Sequence, residues 1–188
     1  MQKFNRRSWR PLVYKITHAG FIISAILLFG CDIHKTELKC EDAIEAYDKQ
    51  RFEGYTDELG SAIDPKTGIT WYRCPAGKRF VNYVCKGETL RLSWDEALAF
   101  AREFSEKSGV AWRLPTRKEM KSIIEPNCIA PALNPNVFKD AEVANHWLSD
   151  PNTLHQDQFR CAINSYSGNI SCRQARIIKQ PFMLVRDR

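Results

Sequence analysis

No run of about 20 consecutive apolar residues occurs in this 188-residue chain, so no ordinary membrane-spanning helix is written into it. No GxSxG elbow, glycine-rich phosphate loop or helically spaced pair among the four histidines is present, which removes the usual signs of hydrolase, nucleotide and zinc chemistry. None of the seven cysteines stands in a CxxC pair, the spacing expected of redox thiols and zinc ribbons. The first 30 residues hold no acid, only the five bases Lys3, Arg6, Arg7, Arg10 and Lys15. With these set apart, the formal charge of +6 falls to +1, 23 bases against 22 acids. The basic balance therefore belongs to the leader, and no nucleic-acid partner is expected.

What is present begins with that leader. Met1–Lys15 is basic and Ile16–Gly30 is a 15-residue, mostly apolar run, the proportions of a signal peptide. The segment Leu28-Phe29-Gly30-Cys31 resembles a bacterial lipobox, which implies cleavage after Gly30 and lipidation of Cys31. A diacylglyceryl group plus an N-acyl chain such as palmitate gives more than one buried chain, the condition for stable anchoring. Asp32 resembles the signal that keeps enterobacterial lipoproteins in the inner membrane. The expected organisation is a signal peptide over 1–30, a lipid-anchored spacer over 31–50 and a folded domain over 51–188, facing the periplasm or the cell surface.

Removing Cys31 leaves six cysteines, an even number that suits an oxidising compartment. Cys74 and Cys85 flank a Pro75-Ala76-Gly77 turn and would close a small loop. Phe159–Asn164 and Asn169–Arg173 flank Ser165-Tyr166-Ser167-Gly168, a hairpin that sets Asn164 against Asn169 and Cys161 against Cys172. Elimination then leaves Cys40 with Cys128. Six cysteines allow 15 connectivities, so the weight rests on the first two pairs.

Ser93–Ile124 organises the domain. Ser93 stands three residues before Glu96 and Thr116 three before Glu119, two capping boxes that start two helices. The first helix places Trp94, Ala97, Leu98, Ala101 and Phe104 on one face, and burying Trp94, Leu98 and Phe104 would contribute roughly 1.5–3 kcal/mol each. Gly109 stops it, Val110–Leu114 reads as a strand, and the second helix buries Met120, Ile123 and Ile124. Further strands are expected at Ile69–Cys74, Phe80–Val84, His146–Ser149 and Phe182–Arg186.

These residues resemble a known family. Asp64-x-x-Thr67-Gly68-Ile69-x-Trp71-x-Arg73-Cys74, Cys85-x-Gly87, Trp94-x-x-Ala97, Trp112-Arg113-Leu114-Pro115-Thr116-x-x-Glu119 and a final Val185-Arg186 are similar to the Lcl C-terminal domain family, named after a bacterial collagen-like adhesin. The resemblance implies an exported α+β module, C-type lectin-like, with two helices on small antiparallel sheets and disulfide staples. It implies binding of sulfated glycans for the namesake and no catalytic residues for the family.

Other constellations carry less. His146, Asp150, His155 and Asp157 fit no metal-ligand spacing, and Glu125-Pro126-Asn127 lacks the later partner that a calcium–sugar site needs; no metal or other cofactor is expected. Arg113 is expected to pair with a carboxylate such as Glu119. The candidate anionic-ligand residues are Arg173, Arg176 and Lys179, beside the last hairpin, where charge would equally blunt a sheet edge. The expectation is a non-enzymatic envelope lipoprotein with a lectin-like binding or adhesion domain, its partners a membrane through the anchor and a glycan or envelope protein. The alternative is a structural or assembly subunit without a small ligand.

Overall fold

The computed structural model describes residues 37–44, 52–53, 60–155 and 157–187. The leader with Cys31 and Asp32, and most of the expected spacer, lie outside the described residues. In chain order the elements are a short helix α1 (Cys40–Ala43), strands β1 (Ser61–Asp64), β2 (Ile69–Tyr72), β3 (Arg79–Val81) and β4 (Val84–Lys86), and helices α2 (Trp94–Ser108) and α3 (Arg117–Ser122). Strands β5 (Asn145–Pro151), β6 (Phe159–Asn164), β7 (Asn169–Ala175) and β8 (Val185–Asp187) complete them. The strands form three antiparallel sheets, β1-β2-β8, β3-β4 and β5-β6-β7, so the class is α+β.

Both capping boxes form. Ser93 and Thr116 accept from the backbone N–H groups of Glu96 and Glu119, whose carboxylates accept in return from the cap residues. Helix α2 ends at Gly109, whose φ of 66° is left-handed. Its buried face differs from expectation. Ala97 and Ala101 are the fully buried residues, whereas Trp94, Leu98, Phe100 and Phe104 pack as half-buried flanks. Small side chains let the helix axis approach Leu114, Trp147, Phe182 and Leu184, and the larger ones close the seam on either side. Trp94 sits at the rim because its indole N–H must reach the Leu148 carbonyl, at 2.8 Å.

Val110–Leu114 does not form the expected strand. Arg113 alone pairs with Val185, by reciprocal backbone bonds of 2.8 and 2.9 Å. Pro115 has no N–H to extend that ladder, and the chain turns at once into α3. The run Phe80–Val84 is likewise not one strand: it turns back on itself at Asn82 and Tyr83, with φ of 52° and 63°, to make the β3–β4 hairpin. The hairpin at Ser165–Gly168 matches its expected register, Asn164 against Asn169, but the ladder slips between Ala162 and Arg160. Strand β1 pairs with β2 although its sequence, Ser-Ala-Ile-Asp, carries little β signal of its own.

Three disulfides staple the fold: Cys40–Cys128, Cys74–Cys85 and Cys161–Cys172. Cys40 is fully buried, its N–H donates to the Ile129 carbonyl at 2.9 Å, and Ile129 N–H donates to Leu38. The folded body thus reaches back to Leu38, ahead of the start at Arg51 expected from composition. Between the β1-β2-β8 and β5-β6-β7 sheets lies a core of Trp71, Phe138, Met120, Leu148, Ile163 and Val185. Among the described residues no helix is long and apolar enough to cross a membrane.

Candidate functional site

The three bases singled out in the sequence do not share one free cationic surface. Arg176 forks onto Asp95, with Nε 2.8 Å from Oδ2, and Lys179 Nζ lies 3.7 Å from Glu96. Both acids open helix α2, 81 and 83 positions earlier in the chain, so the pairs are invisible to local pattern reading. These hydrogen bonds hold the Arg176 guanidinium above its ordinary range. The backbone hydrogen bond from Ser93, helped by its hydroxyl and by Lys179, holds the Glu96 carboxyl below its own. Of the three bases, Arg173 alone keeps its charge unpaired among the described residues.

A different set of cations lines an open groove. Helix α3 begins where Thr116 accepts from Glu119, and Asp150 on β5 pins its first residue. The Asp150 carboxylate accepts from the Arg117 backbone N–H at 2.6 Å and from Arg117 Nε at 3.1 Å. Ser149 N–H also donates to the Pro115 carbonyl, at 2.9 Å. These bonds set α3 across one face of the β5-β6-β7 sheet, over β5 and β6, and leave a groove of about 690 Å³ between the helix and β7. Lys118 and Lys121, three apart and so on one helical face, stand on one wall. Ile170 and the Cys161–Cys172 bridge form the apolar floor. Neither lysine is in an ion pair among the described residues, whereas Arg117 is held by Asp150.

The back of α3 is fixed by the pair expected from sequence. Arg113 donates from Nη1 and Nη2 to the two Glu119 oxygens, at 2.9 and 2.8 Å, and from Nη2 to Asp187 at 2.7 Å. Burial by itself would raise the Glu119 carboxyl, but the Arg113 and Thr116 bonds outweigh it and hold the group below its usual value. Arg113 is therefore a positioning side chain, not an open ligand contact. Glu125 sits in the turn after α3, with its N–H donating to Ala132.

The remaining acid and histidine positions scatter. His146 is fully buried on β5 and its Nε2 lies 3.0 Å from the Glu142 carbonyl. A carbonyl only accepts, so Nε2 carries the proton and Nδ1 is left without a partner. Burial pushes this imidazole below its ordinary pKa. Asp150 is engaged by Arg117, and His155 and Asp157 lie exposed in the loop after β5. Among the described residues no three His, Cys, Asp or Glu side chains converge as a metal ion requires.

The Lcl C-terminal domain model matches residues 60–186, two thirds of the chain and every strand of all three sheets. The chain belongs to that family. No curated protein and no solved structure matches it. The Lcl C-terminal domain match begins at Gly60, so the Cys40–Cys128 bridge ties a segment ahead of the matched residues into the domain. The groove lies wholly inside the Lcl C-terminal domain. Sequence reasoning passed over its lysines because bases on the outer face of a short helix are usually just solvated. The available signal was three cations in five residues, Arg117 to Lys121, directly after the capping threonine.

Proposed function

We propose that the protein is a lipid-anchored bacterial envelope protein whose Lcl C-terminal domain is a non-catalytic, C-type lectin-like binding module for an anionic glycan or other anionic envelope ligand. The observation that carries the reading is the pair of unpaired lysines, Lys118 and Lys121, on a groove with an apolar floor. Sulfate or carboxylate groups on a carbohydrate would meet the ammonium groups, while sugar C–H faces would meet Ile170 and the cystine. Two helices against small antiparallel sheets, with cystine staples, support the lectin-like reading of the fold. The lipobox-like Leu28–Cys31 supports the anchor.

Two experiments test the two halves. Heparin-column retention falls steeply with added salt, since exposed charges are screened within about 10 Å at 0.1 M. The Lys118→Glu/Lys121→Glu variant loses that retention, while Arg173→Glu leaves most of it; retention that survives the double charge reversal overturns the groove. For the anchor, Cys31→Ala moves the protein out of the membrane fraction. An unmodified mass with unchanged fractionation removes lipidation.

A second reading, a structural or assembly subunit, is favoured by one observation. Leu154 and Ile177 are 83% and 79% exposed, on neighbouring loops joined by the Arg176 N–H to Gln158 carbonyl bond of 2.9 Å. A stoichiometric partner that is retained by the native chain and lost on Leu154→Ser/Ile177→Ser would favour it over the glycan reading.

A further inference from the structure

The β3–β4 hairpin makes three choices that are unfavourable for the domain in isolation. First, Val81, Tyr83 and Val84 at its tip are 38%, 49% and 49% exposed. Secondly, the two-residue turn has positive φ at both Asn82 and Tyr83, a conformation for which Asn-Gly is the favoured pair and a bulky aromatic an outlier. Thirdly, Arg79 lies directly across from Lys86, and like charges in that register repel. Neither base forms an ion pair among the described residues.

The ribbon is nevertheless held firmly. Side chains alternate along a strand, so Phe80 and Cys85 face one way while Arg79, Val81, Val84 and Lys86 share the other side. Phe80 lies under the Arg73 guanidinium, 4.3 Å from it. Its N–H donates to the Tyr72 hydroxyl, which in turn donates to the Lys78 carbonyl. Cys85 is bonded to Cys74. The outer side is therefore a preorganised strip, apolar at the tip and cationic at the base, and at the turn Tyr83 stands half exposed with its ring edge-on to Phe80, centroids 6.2 Å apart.

Its position in the domain matters. Lys78, at the foot of the hairpin, pairs with Asp140 at 3.5 Å, and Asp140 and Lys139 line the same cavity, about 290 Å³, as Cys40 and Glu41. The hairpin thus rises beside the point where the chain enters the folded body. Five residues separate Cys31 from Glu37, six steps along the chain, a reach of no more than about 20 Å when fully extended.

We propose that the β3–β4 hairpin docks on the surface of an anionic bilayer, with Val81, Tyr83 and Val84 entering the headgroup boundary and Arg79 and Lys86 meeting lipid phosphates. Aromatic residues favour that interface, and bases near an anionic leaflet are drawn to it. The docking rests on the anchor reading above for its local concentration, and it orients the groove of the Lcl C-terminal domain relative to the membrane.

The test uses the full chain with Tyr83→Trp, compared with the unsubstituted chain, in vesicles of phosphatidylcholine with or without phosphatidylglycerol. Both carry bromine on the acyl chains, and the mass of each preparation reports lipidation. The added tryptophan is quenched about twofold more than the native set in anionic vesicles, as expected for a ring about 5–10 Å into the boundary. Arg79→Glu/Lys86→Glu removes the difference, and Ile177→Ser, on another exposed turn, does not. Equal quenching of Tyr83→Trp and the native chain overturns the docking even if the mass shows lipid. Extra quenching of a chain whose mass shows none upholds the docking and overturns the anchor. Burial of Tyr83 only on addition of an envelope protein assigns the strip to a protein partner and overturns the proposal.

Discussion

Two hairpins of this domain carry the same covalent spacing and use it in opposite ways. Cys74–Cys85 and Cys161–Cys172 each join residues 11 apart. In the chain-entropy picture such loops contribute about 3 kcal/mol apiece. Strand β6 pairs on both sides, with β5 and with β7, and buries Arg160, Cys161, Ala162 and Ile163 in succession. Strands β3 and β4 pair only with each other, and of their six residues Cys85 alone is buried. The contrast shows what a cystine adds in each setting. One reinforces a ribbon that packing already holds, and the other holds out a ribbon that packing would not, since an isolated two-stranded hairpin is marginal in water.

The largest effect that could break this comparison is removal of the staples. Cys161→Ala/Cys172→Ala and Cys74→Ala/Cys85→Ala each lower unfolding free energy in urea by about 3 kcal/mol. Amide exchange separates them: the β3–β4 variant loses protection across 79–86 well below the global transition, while β6–β7 keeps its protection to the global limit. Equal local loss in both variants would erase the distinction.

Next in size are the turns. Gly168 has φ of 75°, and a Cβ there would fall 2.5 Å from Ile124 Cγ2, so Gly168→Ala costs about 1–3 kcal/mol. Tyr83→Gly removes a left-handed aromatic but loosens the unfolded chain, and these offset to within about 0.5 kcal/mol. Urea midpoints of the two variants, compared in one buffer, check the asymmetry.

A smaller effect concerns pH. His146, opposite Ile163 on β6, is held neutral by burial, with Glu142 nearby opposing the shift and Arg91 adding to it. Its folded pKa is depressed, so the unfolded chain takes up the proton first. The stability linked to it is complete above the unfolded value of about 6.5 and is lost as pH falls from there towards the folded pKa. Thermal midpoints followed from about pH 7.5 to 5.5 fall in the native chain and flatten in His146→Gln, with exchange at 79–86 indifferent to either. Smallest of all is Val84→Ser at the exposed tip, within about 0.5 kcal/mol of the native chain by urea unfolding.

What the sequence made legible follows the same division. The capping boxes at Ser93 and Thr116 could be read because their partners lie three residues away, and the Ser165–Gly168 turn because Gly marks it. The Arg113–Glu119 fork, six residues apart, was within reach for the same reason. The β3–β4 turn reads as strand because Val, Tyr and Phe favour extended backbone and no glycine announces the reversal. The pattern marks the α2 face but not which of its members are fully buried, since periodicity identifies a side of a helix and not how closely the neighbour approaches. The groove depends on Asp150 fixing Arg117 from 33 positions away, and the Asp95–Arg176 fork spans 81. Local pattern has no access to such separations.

The Cys40–Cys128 bridge governs how the molecule bears load. A pull on the N-terminal side enters through Cys40 and crosses at once to Cys128, so the 88 positions between them cannot be drawn out while the bond is intact. Roughly 300 Å of contour is thereby withheld from extension. The helices α2 and α3, and the hairpin β3–β4, all fall within that shielded span. Traction applied ahead of Cys40 thus passes to the chain after Cys128, and the helices α2 and α3 stay outside the line of force.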